Sequence, residues 1–238
     1  MKRLNLSLVI LLFIIYSGNA FSQKMIAIGI GYGIGTHIKA GGIDFVLDRY
    51  NETRSYLSKT MDKPRFFYGF NYSIEGVNGK RLMTFEWVGR KSIMYAEGTD
   101  ALNVTRRRDV QLKVNTFNWG FGRKLGVSGS AKGLYWGGDF IVGTNKQYTR
   151  IYESNATPPK FAKVDWGINM GVAPFVYLIS NRLSTKFYIQ FLALKQNYWD
   201  LNRAINPGTW SGDDYDSNKG KIRSIGLSTR FLLGGSNN

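Results

Sequence analysis

The sequence predicts an all-β chain: an antiparallel, eight-stranded transmembrane up-and-down β-barrel with four long extracellular loops. Three observations carry that prediction. The first is alternation. Ile26, Ile28, Ile30, Tyr32 and Ile34 interleave with Ala27, Gly29, Gly31 and Gly33. Side chains alternate across a strand, so the segment has one bulky apolar face and one nearly bare face. The second is recurrence of the pattern in segments of roughly ten residues, the length a tilted strand needs to cross a bilayer. The third is an export signal at the start of the chain.

Eight segments alternate. The first covers 25–35. The second, 66–75, sets Phe66, Tyr68, Phe70, Tyr72 and Ile74 against Phe67, Gly69, Asn71, Ser73 and Glu75. The third, 81–91, sets Met83, Phe85 and Trp87 against Thr84, Glu86 and Arg90. The fourth, about 110–122, sets Phe117, Trp119 and Phe121 against Thr116, Asn118 and Gly120. Its upper half places Val110, Leu112 and Val114 on the opposite parity, which implies a bulge or a segment rising above the membrane. The remaining segments are 134–146, 164–173, 184–194 and 222–233. Both soluble and membrane barrels alternate, so the second face decides. Here it is mostly Gly, Ser and Asn with scattered charges, which suits a narrow lumen, while the bulky aromatic face suits lipid.

The connections support this reading. Those after the second, fourth and sixth strands are short (76–80, 123–133, 179–183), and those after the others are long (36–65, 92–109, 147–163, 195–221). Tight periplasmic turns and extended outer loops give that rhythm. Trp166, Phe66 and Tyr68 fall at the outer rim and Trp119, Phe121 and Trp136 at the inner rim, where aromatic side chains collect.

Lys2 and Arg3, the apolar stretch Leu4–Tyr16 and Gly18-Asn19-Ala20 form a secretory signal over 1–20, cut before Phe21 or after Gln23. The barrel is expected over 24–238. Cysteine is absent, which excludes disulfides, thiolate metal sites and a lipoprotein anchor. The formal charge is +16, two units of which belong to the signal. The charges are dispersed, so the basic balance points to lipopolysaccharide phosphates rather than nucleic acid.

The signal, the strand Ile28-Gly29-Ile30-Gly31-Tyr32-Gly33 and the eight segments together resemble the small outer-membrane β-barrels of the opacity and OmpX-like kind. The resemblance implies the bacterial outer membrane, contact with its lipid and lipopolysaccharide, the barrel-assembly machinery during insertion, and an envelope protein partner. Two departures stand out. Phe231 is followed by Leu232-Leu233 and a polar tail instead of ending the chain, and no peptidoglycan-binding domain follows the barrel within this sequence.

Candidate sites are few. His37, the single histidine, is the base any Ser–His–acid mechanism would need, with Asp44 or Glu97 as the acid. Small outer-membrane lipid A acyltransferases and deacylases place a histidine near that level. The bland alternative is a solvated loop histidine. Segment 43–57 has apolar residues at 43, 46, 47, 50 and 57, near helical period, and is expected to cap the barrel mouth. Glu75, Glu86, Arg90, Asp139, Asp165, Lys186 and Arg230 are assigned to the lumen, as an ion-paired plug or as the lining of a pore. Arg106, Arg107 and Arg108 are candidates for lipid-phosphate contact. Asp214–Gly220 has the start of a calcium loop, but the glycine is one place late and Ile225 stands where a glutamate is needed. No metal or cofactor is expected. The sequence therefore points to a non-enzymatic envelope structural, adhesion or assembly-accessory role through the outer loops. A lipid A-modifying enzyme using His37 and a narrow channel are the alternatives.

Overall fold

The computed structural model describes residues 25–126, 130–208 and 216–234. The expected signal over 1–20 lies outside them, as do Asp214 and Tyr215. In chain order the elements are β1 (Met25–Ala40), α1 (Ile43–Glu52), β2 (Leu57–Lys59), β3 (Phe66–Asn78), β4 (Arg81–Thr99), β5 (Thr105–Lys124) and β6 (Gly133–Glu153). They continue with β7 (Ala162–Ile179), β8 (Leu183–Leu192), β9 (Gln196–Asn197), α2 (Trp199–Ile205), β10 (Lys219–Gly220) and β11 (Ile222–Leu233). Eight long strands form a closed antiparallel ring, β1-β3-β4-β5-β6-β7-β8-β11, shut by the β1–β11 pairing. Ile30 stands opposite Tyr72 on one side and Phe231 on the other. Closure leaves no strand edge within the bilayer, where an unpaired backbone group has no water to bond.

The bulky face points outward. Ile28 is 54% exposed, Phe70 61% and Trp136 56%, while Ala27, Asn71, Glu75, Thr116 and Asp139 on the other parity are buried. This exposed apolar band around a closed ring with a polar interior is the geometry of a membrane-spanning barrel. The bare face answers to curvature. A side-chain carbon at Gly31 would collide with the Thr229 carbonyl oxygen and stand 2.7 Å from the Arg230 Cα.

The outer connections differ from the sequence expectation. Residues 100–104 and 154–161 are short turns, because β4, β5 and β6 run on as sheet beyond the bilayer. Only the links 41–65 and 193–221 are long, and each carries a short helix. The rim is therefore oblique, tall along β4–β6 and low along β8, β11, β1 and β3. No bulge is needed on β5. Its pairing with β4 and β6 is continuous from Arg106 to Arg123, and Val110, Leu112 and Val114 share the inward parity of Thr116, Asn118 and Gly120. The strand rises above the membrane, and its inner face turns apolar there.

Gly31→Val is expected to block closure of the β1–β11 seam. Loss of most of the heat-modifiable folded band on unboiled gels would show it, and a full folded band would refute the packing argument.

Candidate functional site

The interior is built in storeys. At the inner end, Val77, Leu82, Tyr135, Ile179 and Leu232 are buried as an apolar floor. Above it, inward positions of five strands bring charges together. Lys186 Nζ lies 2.8 Å from Glu86 Oε1 and 2.7 Å from Asp139 Oδ2. Arg230 Nη2 lies 2.9 Å from Glu86 Oε2, and its Nη1 lies 3.6 Å from Glu75 Oε1.

Neutral groups complete the cluster. Arg230 Nε donates to Asn71 Oδ1 at 2.9 Å and its Nη1 donates to the Tyr177 hydroxyl at 3.0 Å. Tyr177 donates to Ser184 Oγ, which donates to Glu75 Oε1, each at 3.0 Å. Burying an ion away from water is costly unless it is both paired and hydrogen-bonded, and this cluster supplies both.

Arg90 stands one level higher and pairs differently. It donates to Gln190 Oε1, and its guanidinium lies 4.9 Å from the Tyr188 ring and 5.2 Å from Phe67. Counting it, three carboxylates meet three cations in the lumen. Asp165 does not join them. It lies beside an irregularity in the β6–β7 register, and its carboxylate accepts from the Trp166 backbone N–H at 2.6 Å. The residue that sequence reasoning missed is Tyr177, which bridges Arg230 to Ser184. Its inward parity was available, but a tyrosine in an apolar run gives no sign that its hydroxyl joins an ion cluster.

His37 faces the lumen from the outer half of β1. Its Nε2 lies 3.2 Å from Ser92 Oγ, and its ring is tilted against Phe67 at 5.0 Å. The other ring nitrogen, Nδ1, is buried without a hydrogen-bond partner. A Ser–His–acid device needs a carboxylate there to fix the tautomer and carry the developing charge. Among the described residues neither Asp44, on α1, nor Glu97, on the outward parity of β4, bonds to the imidazole. The pair also opens inward, away from the lipid that an acyl substrate would come from.

The top storey is the capped mouth. Ile43, Val46, Leu47 and Tyr50 of α1 and Leu201 and Ile205 of α2 are buried, together with Met94, Ala96, Val110 and Leu112 of the raised wall. The helix expected within 43–57 thus ends at Glu52, and Leu57 begins β2 instead. Arg54 ties the two helices. Its Nη2 donates to the Ile205 carbonyl at 2.7 Å, and its guanidinium stacks 3.9 Å over the Tyr50 ring. Asn206 Nδ2 returns a bond to the Val46 carbonyl at 3.1 Å. Tyr198 donates to the Ala40 carbonyl at 3.3 Å. Burial pushes both the Asp44 carboxyl and the Tyr198 phenol above their ordinary ranges.

Arg106, Arg107 and Arg108 are not gathered on one face. Arg106 pairs with Asp100 at 3.1 Å and Arg107 with Asp109 at 2.8 Å, while Arg108 donates to Thr149 Oγ1 at 3.5 Å. Successive residues of a strand point to opposite sides, so the run splits between the two faces of the wall. Of the calcium-like segment, Asp216 pairs with Lys219 at 3.8 Å, and Asp214 lies outside the described residues.

A closed eight-strand ring, an apolar girdle and a charge-filled interior define an outer-membrane β-barrel. No protein-family model matches the sequence, and no curated protein matches it. Among solved structures the chain is similar to Ail, the attachment invasion locus protein of Yersinia pestis, solved in complex with the heparin analogue sucrose octasulfate. The identity is 10%, the match covers 87% of this chain and 97% of that chain, and the TM-score is 0.39. A likeness at that level carries nothing about ligand or role.

Two substitutions test the storeys separately. Lys186→Met leaves Asp139 without its cation and Glu86 with Arg230 alone and is expected to cost about 3–5 kcal/mol in urea unfolding; a change below 1 kcal/mol would contradict the pairing. Leu47→Ala is expected to loosen the cap by about 2–5 kcal/mol. Faster hydrogen exchange over 43–52 with unchanged exchange in the lumen strands would show it.

Proposed function

We propose that the protein is a non-enzymatic outer-membrane scaffold with an envelope structural, adhesion or assembly-accessory role. In this reading the working surface is the raised β4–β6 wall rather than the four extended outer loops the sequence alone favours. The observation that carries it is the division of the chain into a filled lumen, a packed cap and a projecting sheet. Ion-paired side chains in the lumen and an apolar cap above them support a closed barrel over a channel. A cap held by a buried apolar cluster and by Arg54 leaves the wall as the rigid part that reaches furthest outward, and rigid scaffolds present recognition surfaces at low ordering cost.

The wall's outer face supports a binding role. The Arg107 guanidinium stacks 3.8 Å over the Tyr95 ring, and Arg150 lies 4.2 Å from the Phe161 ring. Both arginines also bond the buried carboxylate of Asp109. Such aromatic and guanidinium groups, held in place by neighbours, are the usual anchors of protein interfaces.

Nothing in the arrangement favours the enzyme or channel alternatives over this reading. His37→Ala is expected to leave the lipid A mass profile of expressing cells unchanged, and an altered profile would revive the acyl-chemistry reading. The scaffold reading is tested by replacing 97–107 with an Asn-Gly turn, which shortens the β4–β5 hairpin. The shortened barrel should still show the heat-modifiable band but lose surface attachment or co-purification of an envelope partner. Unaltered attachment and partner recovery, together with conductance of the full chain in planar bilayers, would overturn it.

A further inference from the structure

The outward face of the wall carries a row of like charges. Lys91 on β4 stands directly opposite Lys113 on β5, and Lys113 stands directly opposite Lys146 on β6. Neighbouring strands lie ~4.8 Å apart, so the three positions fall within ~10 Å. Like charges in directly opposed positions repel. Even so, none of the three takes part in an ion pair among the described residues.

Two of the ammonium groups are held over rings. Lys91 Nζ lies 4.8 Å from the Tyr68 centroid and Lys113 Nζ lies 4.9 Å from Tyr148. The row meets Trp166 on β7, and Lys163 Nζ lies 5.7 Å from that indole. The nearby carboxylates are engaged elsewhere: Asp165 accepts from the Trp166 backbone, and Asp109 is shared by Arg107 and Arg150.

The depth of the row is set by what lies beneath it. Trp87, Phe117 and Val142 form the apolar row four residues lower, with Gly89, Asn115 and Thr144 between. Lys91, Lys113 and Lys146 are thus the first charged outward row above the hydrocarbon, ~13 Å along a tilted strand from its last apolar row. Arg107 lies a further ~20 Å up the strand from Lys113. On the far side of the barrel, Lys39 of β1 stands opposite Arg223 of β11.

We infer that Lys91, Lys113 and Lys146 form a binding site for the phosphorylated headgroup of an outer-leaflet glycolipid. The phosphate supplies the counter-charge that the row lacks, through charge-assisted hydrogen bonds from three ammonium groups. Tyr68, Tyr148 and Trp166 lie beside the sugar and the upper acyl chain. The inference rests on the outer-membrane reading, and it moves the lipid contact from the arginine run at the wall's tip to its foot.

The test uses the mature chain in zwitterionic nanodiscs, alone, with lipopolysaccharide, with the same lipid stripped of phosphate, or with free inorganic phosphate. The readout is the urea midpoint for loss of the heat-resistant band. Lipopolysaccharide should raise the wild-type midpoint, and the stripped lipid and free phosphate should not. In Lys91→Gln/Lys113→Gln/Lys146→Gln the rise should fall to a third or less, while without phosphate this variant should match or exceed the wild type. Lys160→Gln/Lys195→Gln/Arg203→Gln, which removes as many charges from exposed outer positions, should keep the full rise.

A full rise in the lysine variant, or an equal rise with stripped lipid or free phosphate, overturns the inference. If the triple variant does not fold, Lys113→Gln alone should lose at least half the rise, and a full rise there also overturns it. Failure of the wild-type chain to give a heat-resistant band in any nanodisc would instead strike at the outer-membrane reading, a result distinct from folding without a response to phosphate.

Discussion

A ring of eight strands encloses little space, and that confinement governs the rest of the molecule. Lipid takes the bulky side chains on the outside, so whatever polarity the strands carry must fit inside a narrow interior. This chain meets the constraint with glycine where backbones crowd, as at Gly31, and with ions that neutralise one another where they do not. Glu86 lies at the centre of that arrangement, with Lys186 on one carboxylate oxygen and Arg230 on the other. Removing Lys186 leaves Asp139 without its cation, and removing Arg230 leaves Glu75 without its own, so the cluster ties β3, β4, β6, β8 and β11 to one another through shared ions.

The same inward parity meets two environments along one strand. On β5, Gly120, Asn118 and Thr116 face the polar lumen, and Val114, Leu112 and Val110 face the cap. Within the bilayer the inside must be polar because the outside is apolar. Above it the order reverses, since water bathes the outer face and the apolar residues belong inside. The wall beyond the membrane is therefore ordinary water-soluble sheet, and it needs a partner layer for its apolar face. The helices of the two long links supply that layer, which is why the long links sit on the low side of the rim and fold inward.

This reversal also marks how far the fold was legible in the sequence. Period-two alternation placed all eight ring strands and gave each its facing, because the lipid-facing residues are large and their neighbours small. The helix at 43–52 showed in the spacing of Ile43, Val46, Leu47 and Tyr50. The outer ends of β4 and β6 did not show. There the outward face carries Lys91, Tyr95, Lys146 and Arg150, and the loss of an apolar outer face reads as the end of a strand when it is only the end of the membrane. The site was legible in composition but not in pairing. Sequence order places Asp165 on the same strand as Asn169 and Gly171, yet the local irregularity against β6 turns its carboxylate back onto its own strand. Arg106, Arg107 and Arg108 read as one patch for the same reason: adjacency in sequence hides the alternation that separates them.

The oblique rim gives the barrel a front and a back. On the back, Arg54 and Asn206 join the two cap helices to each other, and Tyr198 ties the cap to Ala40 of β1. On the front, the sheet stands free with its outer face to water and its foot in the headgroups. A projecting sheet is a lever, and any force or partner acting near Leu102 at its tip is resisted where the wall enters the bilayer. The opposed lysines at that foot repel one another, and an anion seated between them would relieve that repulsion. If the proposed site holds a phosphorylated headgroup, the surface that reaches outward is braced at its foot by the membrane that the barrel occupies.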